Sequence, residues 1–404
     1  MKVLIISDEF PPQVLGGAGT TAFNLARKLK ELGNEIFVMT TCRDKKDEEN
    51  FQYQNLNIFR IHSDYKARWR NYLSLYNPQT VGKVRRLIQE IKPDIIHAQN
   101  IHYWLSYHCL KIAKQYSRAV FLTAHDTMLY SCGKTTISGK ITWWDLLKQA
   151  KKRYNPFRNI MIRYYLRYVD KIFAVSQELE TALRANKINN VALVYNGIAI
   201  SDWTIEPQKI EEFKKRYNLG ERPVIFLGGR LSYLKGAEQA IRFLAEIKKE
   251  IPEVVLLVVG SDGFFEKGEK LVEKLGVKEN IVFTGWLAGD NLKAAYHSAD
   301  IVILPDIYFD ALPIILVEAM ACKKPVVGSC FACTSETTVD GITGYVVNPL
   351  EINQTSEKIL DLLKNQEKAK QFGLAGLERV KTHFSLDSQV SQTLSWYQKY
   401  LKIN

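Results

Sequence analysis

Pro223-Val224-Ile225-Phe226-Leu227-Gly228-Gly229-Arg230-Leu231-Ser232-Tyr233-Leu234-Lys235-Gly236 lies just past the middle of the chain. Pro223–Leu227 is a short apolar run, too short for a helix and rich enough in branched side chains for a buried strand. Two glycines end it, and Ala237–Lys249 follows with apolar residues at helical spacing. Strand, glycine turn and helix in that order open a βαβ unit. The N-terminus is built the same way. Val3–Ser7 predicts a strand, Gly16-Gly17-Ala18-Gly19 a turn, and Thr20–Leu32 a helix whose Phe23, Ala26, Leu29 and Leu32 share one face before Gly33 stops it. A pattern that starts twice in 404 residues predicts two α/β domains, each with a doubly wound parallel sheet.

Between these two openings, further strands are expected at Glu35–Thr40, Leu56–Ile61, Asp94–Ala98, Ala119–Ala124, Lys171–Val175 and Val191–Tyr195. After the second, strands are expected at Val254–Val259, Ile281–Phe283, Ile301–Leu304, Pro325–Val327 and Gly344–Val347. Helices are expected at Glu266–Leu275, Asn291–Ser298 and Leu316–Cys322. The polar stretch Ser201–Arg222 reads as the boundary, giving domains at 1–203 and 204–385, and a last helix spans Leu386–Ile403 with Trp396 and Tyr397. Open parallel sheets bind ligands at the carboxyl ends of their strands, so two domains facing a central cleft have room for two substrates.

Chemistry-bearing residues fall at those strand ends. Gly16 and Gly17 allow close approach to a phosphate at a helix N-terminus, or simply make a flexible turn. Arg230 and Lys235 can grip a diphosphate as a fork and a point charge, or stand as solvated cations. Glu318 interrupts an apolar run and needs partners, either ribose hydroxyls or an internal hydrogen bond. Asp310 can accept from sugar hydroxyls or cap the following helix. His125-Asp126 ends the Ala119–Ala124 strand, where the histidine faces a ligand or is satisfied in the core.

These sites occur together with Asp94-Ile95-Ile96-His97-Ala98, Ala174-Val175-Ser176, Asn196-Gly197, Phe283-Thr284-Gly285, Ala299-Asp300, Glu318-Ala319-Met320-Ala321 and Asp340-Gly341-x2-Gly344. In this combination the chain resembles, over nearly its whole length, the retaining nucleotide-sugar glycosyltransferases of family 4. That resemblance implies the GT-B fold: two Rossmann-like domains, the first binding the acceptor and the second the donor, with a C-terminal helix (386–404) crossing back to complete the first. It implies catalytic roles for His125, Arg230, Lys235 and Asp310. His125 would contact the transferred sugar, the two cations the donor diphosphate, and Asp310 the sugar hydroxyls. Donor binding would involve Gly16, Gly17, Gly229, Gly260, Gly285, Ile314, Ile315 and Glu318, with Glu318 on the ribose. The co-substrate would be a UDP- or GDP-sugar and the product a hexosylated lipid-linked or glycan acceptor in cell-surface polysaccharide or glycolipid synthesis. No metal or other cofactor is expected, because Arg and Lys would meet the leaving-group charge and the chain has no D-x-D. Several positions depart from the common pattern: Asp310 replaces Glu, Pro313 and Lys323 replace Gly, and Ala332-Cys333 replace a Gly pair before Glu336.

Charge adds a second theme. Residues 1–200 hold 30 basic and 16 acidic side chains, residues 201–404 hold 25 and 27. Two segments, 60–92 and 134–171, carry net +6 and +8, which accounts for the whole excess of the first half. The second segment is also aromatic, with Trp143, Trp144, Tyr154, Phe157, Tyr164, Tyr165 and Tyr168. Basic and aromatic residues together suit an anionic membrane surface, while the plain alternative is a solvated helix whose aromatics are core. Neither fold pattern nor motifs suit nucleic acid. The N-terminal apolar run is too short for a signal peptide and no stretch reaches spanning length, so the expected location is cytoplasmic, peripheral at the inner face of the plasma membrane. The alternatives are a soluble transferase acting on a small or phosphorylated acceptor, and a non-catalytic nucleotide-sugar or glycan-binding scaffold.

Overall fold

The computed structural model describes residues 1–13, 16–136, 139–151, 154–230, 232–261 and 265–402, with backbone only at 230, 261 and 265–267. It divides into two compact units, Met1–Gly197 with Leu386–Asn404, and Ile198–Ser385.

The first unit contains β1 (Lys2–Ile6), β2 (Glu35–Cys42), β3 (Asn50–Tyr53), β4 (Leu56–His62), β5 (Ile95–Ala98), β6 (Ala119–Ala124), β7 (Lys171–Ala174) and β8 (Val191–Leu193). They form one sheet in the order β3-β4-β2-β1-β5-β6-β7-β8. All neighbours are parallel except β3, which pairs antiparallel to β4 through Tyr53↔Leu56. The two residues between them, Gln54 and Asn55, both have positive φ (46° and 63°), the conformation that a tight hairpin requires. The central strands are buried on both faces, which is why Val3–Ile6 and Ala119–Ala124 read as continuous apolar runs. The helix Gly17–Glu31 packs Ala22, Leu25, Ala26 and Leu29 inward. The last helix, Leu386–Leu401, belongs to this unit, and its buried Tyr397 hydroxyl lies 2.6 Å from His97 Nδ1 of β5.

The second unit contains β9 (Val224–Arg230), β10 (Val255–Ser261), β11 (Ile281–Gly285), β12 (Ile301–Leu304), β13 (Val326–Ser329) and β14 (Gly344–Val347). Their order is β11-β10-β9-β12-β13-β14, all parallel. Ile225 and Leu227 of β9 and Leu256 and Val258 of β10 meet Ile241, Leu244 and Ile247 of the helix Ala237–Lys248 in one core. Each such side chain contributes about 1.5–3 kcal/mol on burial.

Each sheet reverses its winding beside its first strand: β1 lies between β2 and β5, and β9 between β10 and β12. Crevices form at such switch points, beyond the carboxyl ends of the strands. The division between the units falls at Gly197/Ile198 rather than after residue 203. The turn Ile200–Trp203 belongs to the second unit, because Ile198 N donates to the Phe384 carbonyl (2.9 Å) and Trp203 packs edge-on against Tyr296. The polar stretch read as a linker contains a helix, Pro207–Arg216, started by a proline and anchored by buried Phe213.

Candidate active site

In the second unit the site grows from the carboxyl ends of β9 and β12. After β9 the chain turns at Ser232, whose hydroxyl accepts from Lys235 N at 3.3 Å. It then closes at Gly236 with φ +67°. A Cβ there would collide with the Pro305 carbonyl, so this position needs glycine for space as well as backbone angle. The Ile307 N–H donates to the Leu234 carbonyl (2.9 Å) and pins the loop after β12 to this turn. The result is an ion cluster: Lys235 Nζ lies 2.7 Å from Asp306 and 2.9 Å from Asp310. Tyr308 donates its hydroxyl to Asp310 at 3.0 Å. Burial opposes the lysine charge, but the two carboxylates outweigh it and hold the lysine pKa well above its usual value. Lys235 is therefore a permanent cation with two of its three N–H donors committed. It is not the solvated cation that its sequence position allows.

Asp310 does not cap the next helix, Ile314–Ala321, whose N-cap is Pro313 without a side-chain bond. The first amides of that helix, at Ile314 and Ile315, are the donors that a helix leaves unpaired. Ile315 comes close to β9: a Cβ on Gly228 would sit 2.8 Å from Ile315 Cδ1. Further along the helix, Glu318 accepts the Tyr296 hydroxyl at 2.7 Å. Burial raises its carboxyl to about 7, partly offset by that hydrogen bond. The internal bond is thus present, on one oxygen of the carboxyl. Gly229 (φ +108°) and Gly260 (φ +150°) are register partners at the ends of β9 and β10, so closely packed that a Cβ on Gly260 would strike the Gly229 carbonyl. Gly285 ends β11 with φ +72°. The Arg230 side chain lies outside the described residues.

In the first unit, Gly16 takes the N-cap position of the helix Gly17–Glu31 in extended conformation, without a capping side chain. His125 follows β6. Its Nε2 lies 2.7 Å from Gln99 Oε1, and Asn196 Nδ2 lies 3.3 Å from its Nδ1. Burial lowers its pKa to about 4, with Asp126 opposing, so the ring is neutral at pH 7. Asn196 is itself held by Gln389 of the C-terminal helix (3.4 Å), which also accepts from Gly197 N at 2.9 Å. Both nitrogens of His125 are engaged by the protein, so the ring is a fixed, uncharged wall rather than a proton donor. Asp8, after β1, accepts backbone N–H bonds from Tyr103, Trp104 and Leu105 at 2.7–2.9 Å and thereby shapes the loop behind β5.

Sequence reading missed Asp306, Tyr308, Tyr296, Gln99, Gln389 and Asp8. All but Tyr308, which bonds Asp310 two residues on, matter through a partner distant in sequence, and no spacing rule marks them. It also overcounted the surface charge of 60–92 and 134–171. Arg60 is buried against Glu49 (3.3 Å), and Arg158 is buried with three acceptors: the Ser131 and Met128 carbonyls and Asn159. The aromatics of the second segment divide. Tyr165 is core, while Trp143 and Trp144 stack at 3.6 Å and stand 54% and 57% exposed, with Phe157 and Ile160 exposed after them. Lys152 and Arg153 lie outside the described residues. Among the described residues no helix is long and apolar enough to cross a membrane.

Residues 15–202 match the family model described as Glycosyltransferase Family 4, and residues 209–379 match Glycosyl transferases group 1. An uncharacterized glycosyltransferase of Methanocaldococcus jannaschii is 26% identical over 368 residues, 89% of each chain. A GDP-mannose-dependent alpha-(1-6)-phosphatidylinositol monomannoside mannosyltransferase of Mycolicibacterium smegmatis is 31% identical over 198 residues, 48% of this chain and about half (50%) of that relative. The structure of sucrose-phosphate synthase from Thermosynechococcus elongatus matches with a TM-score of 0.82 at 20% identity, covering 100% of both chains. Anabaena HepE in complex with UDP and glucose matches with a TM-score of 0.76 at 17% identity, over 99% of this chain and 100% of that one. The two family models follow one another across most of the sequence, and the structural matches extend over 99–100% of this chain. The chain belongs to the family 4 glycosyltransferases, of GT-B fold.

Proposed function

We propose that the protein is a retaining, metal-independent hexosyltransferase that uses a UDP- or GDP-sugar and glycosylates a lipid-linked or glycan acceptor. The observation that carries this reading is the Lys235–Asp306–Asp310 cluster at the switch point of the second sheet, with Glu318 on the adjoining helix. The names of the relatives agree with it: one uses GDP-mannose on a phosphatidylinositol monomannoside, and another holds UDP and glucose.

Transfer breaks the bond between the anomeric carbon and the nucleoside diphosphate, leaving positive charge on the sugar and negative charge on the diphosphate. Lys235 brings its charge to a phosphate oxygen from a position that its two carboxylates fix in advance. The amides of Ile314 and Ile315 and the Gly229–Gly260 edge bring backbone donors and close approach to the same anion. Arg230 adds the second cation. With Lys235 offset by two carboxylates, the cluster is net negative, so Arg230 and the helix amides supply the balance of positive potential. Glu318 takes the ribose hydroxyls on the oxygen that Tyr296 does not occupy. Asp310 orients Lys235 as well as reaching the sugar. In the first unit, His125 is neutral and held on both nitrogens, and the family resemblance gives it, with Gly16 and Gly17, a role in substrate contact. Attack by the acceptor on the face that the diphosphate leaves gives retention.

We place the enzyme in the cytoplasm at the inner face of the plasma membrane, through the exposed Trp143–Trp144 stack and its neighbouring lysines. Calorimetry with UDP and GDP, followed by a donor panel of UDP- and GDP-sugars, tests the reading. A nucleoside diphosphate binds, and Lys235→Ala and Arg230→Ala each weaken it about 10- to 100-fold, the range of one lost charge-assisted hydrogen bond. Undiminished affinity in both variants removes the cations from the donor site, and absence of binding overturns the reading.

A further inference from the structure

A cavity of the first unit, about 690 Å³, is lined by Arg43 after β2, by the loops after β4 and β5 and by the stretches around 132 and 150. Its size suits one small ligand. Four cations line it, Arg43, Arg68, Arg70 and Lys151, and no carboxylate is among the described lining residues. Two of the cations are held in place. The Arg43 guanidinium lies 3.6 Å from the Trp104 ring centroid, with Asp64 behind it at 2.9 Å. Arg70 lies over the Tyr103 ring at 4.8 Å and donates to the Cys132 carbonyl at 3.1 Å. A guanidinium carries five N–H donors, so both keep donors for a ligand. Arg68 and Lys151 are exposed and form no salt bridge among the described residues. Tyr65, whose ring packs on Trp104 at 4.6 Å, has a hydroxyl shielded from water with no hydrogen-bond partner among the described residues.

Like charges crowded around one cavity repel, and a buried hydroxyl without a partner costs about 1–3 kcal/mol. A multiply charged oxyanion relieves both at once: arginine forks match its geometry, and the tyrosine hydroxyl gains an acceptor. The tyrosine and tryptophan walls suit the ring that carries the anion. We propose that this cavity seats the acceptor, and that the acceptor carries a phosphoryl group next to a hydroxylated ring, as a free sugar phosphate or as the same chemistry in a lipid headgroup. The acceptor role rests on the glycosyltransferase reading above; the binding itself does not.

Calorimetry with glucose 6-phosphate and with glucose tests the free form. Co-sedimentation with phosphatidylcholine vesicles containing phosphatidylinositol, against phosphatidylserine at equal charge, tests the lipid form. Glucose 6-phosphate or phosphatidylinositol vesicles bind, and glucose does not. Arg68→Ala with Arg70→Gln lowers that affinity at least tenfold, while Lys235→Ala leaves it unchanged and nucleoside diphosphate affinity is unchanged in the double variant. Arg68→Ala alone, at an exposed position, keeps the test valid if the double variant is unstable and weakens binding severalfold. Binding of glucose 6-phosphate alone identifies a free phosphate, and binding of phosphatidylinositol vesicles alone a headgroup. Absence of binding to both probes, or binding undiminished in the arginine variants, overturns the inference. If a nucleoside diphosphate still binds in that case, the enzymatic reading stands without it.

Discussion

Glu318 is a carboxyl that the fold desolvates and then gives a single donor, the Tyr296 hydroxyl. Its pKa rises from 4.5 to about 7 on folding, so the folded state holds the proton more tightly than the unfolded state. The stability that this proton contributes is complete below pH 4.5 and is lost as pH rises through 7. At about 1.36 kcal/mol per pH unit, the loss by pH 8 is at most about 3 kcal/mol. Glu318→Gln fixes the neutral form. Its thermal midpoint therefore exceeds that of the parent protein at pH 8 and equals it at pH 5, an outcome that scanning at both pH values checks. Nucleoside diphosphate affinity moves the other way. It rises between pH 6 and pH 8 as Glu318 ionises and levels off above, and the glutamine variant loses that slope together with about tenfold in affinity at pH 8. An equal shift in midpoint at both pH values means that the carboxyl is not the titrating group. Glu318 was legible in the sequence because a carboxylate inside Ile314–Ala321 has no reason to be there unless something pairs with it. Tyr296 was not legible, because it reaches Glu318 from the far end of another helix. Lys235 shows the same limit: its position after a strand marked it, but the carboxylate of Asp306 that pairs with it follows the neighbouring strand β12, far along the chain.

Elements were legible where one physical signal dominated. Short apolar runs gave the inner strands, because both of their faces are buried, and the helix Ala237–Lys248 matched its apolar spacing to within a residue. Where that signal fades, so did the reading. β3 is an edge strand with no fully buried residue, and Pro207–Arg216 buries only Phe213, so its sequence looks like a linker. The C-terminal helix shows what periodicity conveys and what it omits. Spacing placed a helix over Leu386–Ile403 and the helix runs Leu386–Leu401, but its two polar anchors, Gln389 at Asn196 and Tyr397 at His97, depend on where the helix lands. His97 is buried, neutral and bonded on its other nitrogen to Thr123 at 2.8 Å. Tyr397→Phe leaves His97 Nδ1 buried without its partner, which costs about 1–3 kcal/mol in denaturant unfolding of the first unit. Gln389→Ala also removes two buried hydrogen bonds, from Gly197 N and to Asn196, and costs about 1–3 kcal/mol. Its effect falls on Asn196 and hence on the orientation of His125, so turnover drops more than the midpoint does. A loss of turnover only in proportion to unfolding would mean that the helix merely covers the sheet.

Over the whole molecule the charge is divided by unit, not by chain half. Met1–Gly197 with Leu386–Asn404 carries 32 basic and 17 acidic side chains, and Ile198–Ser385 carries 23 and 26. Lys235, the cation proposed to meet the donor diphosphate, lies in the unit with no positive excess, so on that reading the overall +12 is not spent on the donor. Part of the excess is structural, in Arg60 and Arg158. What remains on the surface includes Lys140 and Lys148 around the exposed Trp143–Trp144 stack. The helix under that stack, Trp143–Ala150, starts with a capping box between Thr142 and Asp145, which holds the two indoles at a defined end rather than on a frayed one. Indoles at the headgroup level and lysines beside them act together: each lysine near an anionic surface adds about 1 kcal/mol at low salt, and screening removes it as the Debye length falls to a few ångströms. Flotation with vesicles containing phosphatidylglycerol therefore recovers the protein at 50 mM salt and not at 500 mM. Trp143→Ala with Trp144→Ala reduces recovery at low salt, since the lysines alone hold only a diffuse attraction. Arg68→Ala, in the cavity and not on the helix that carries the indoles, leaves this recovery unchanged, which separates attachment to the surface from capture of a phosphoryl group in the cavity. Recovery that survives 500 mM salt but vanishes in the double tryptophan variant would assign the attachment to the indoles and leave the charge of the first unit to the acceptor alone.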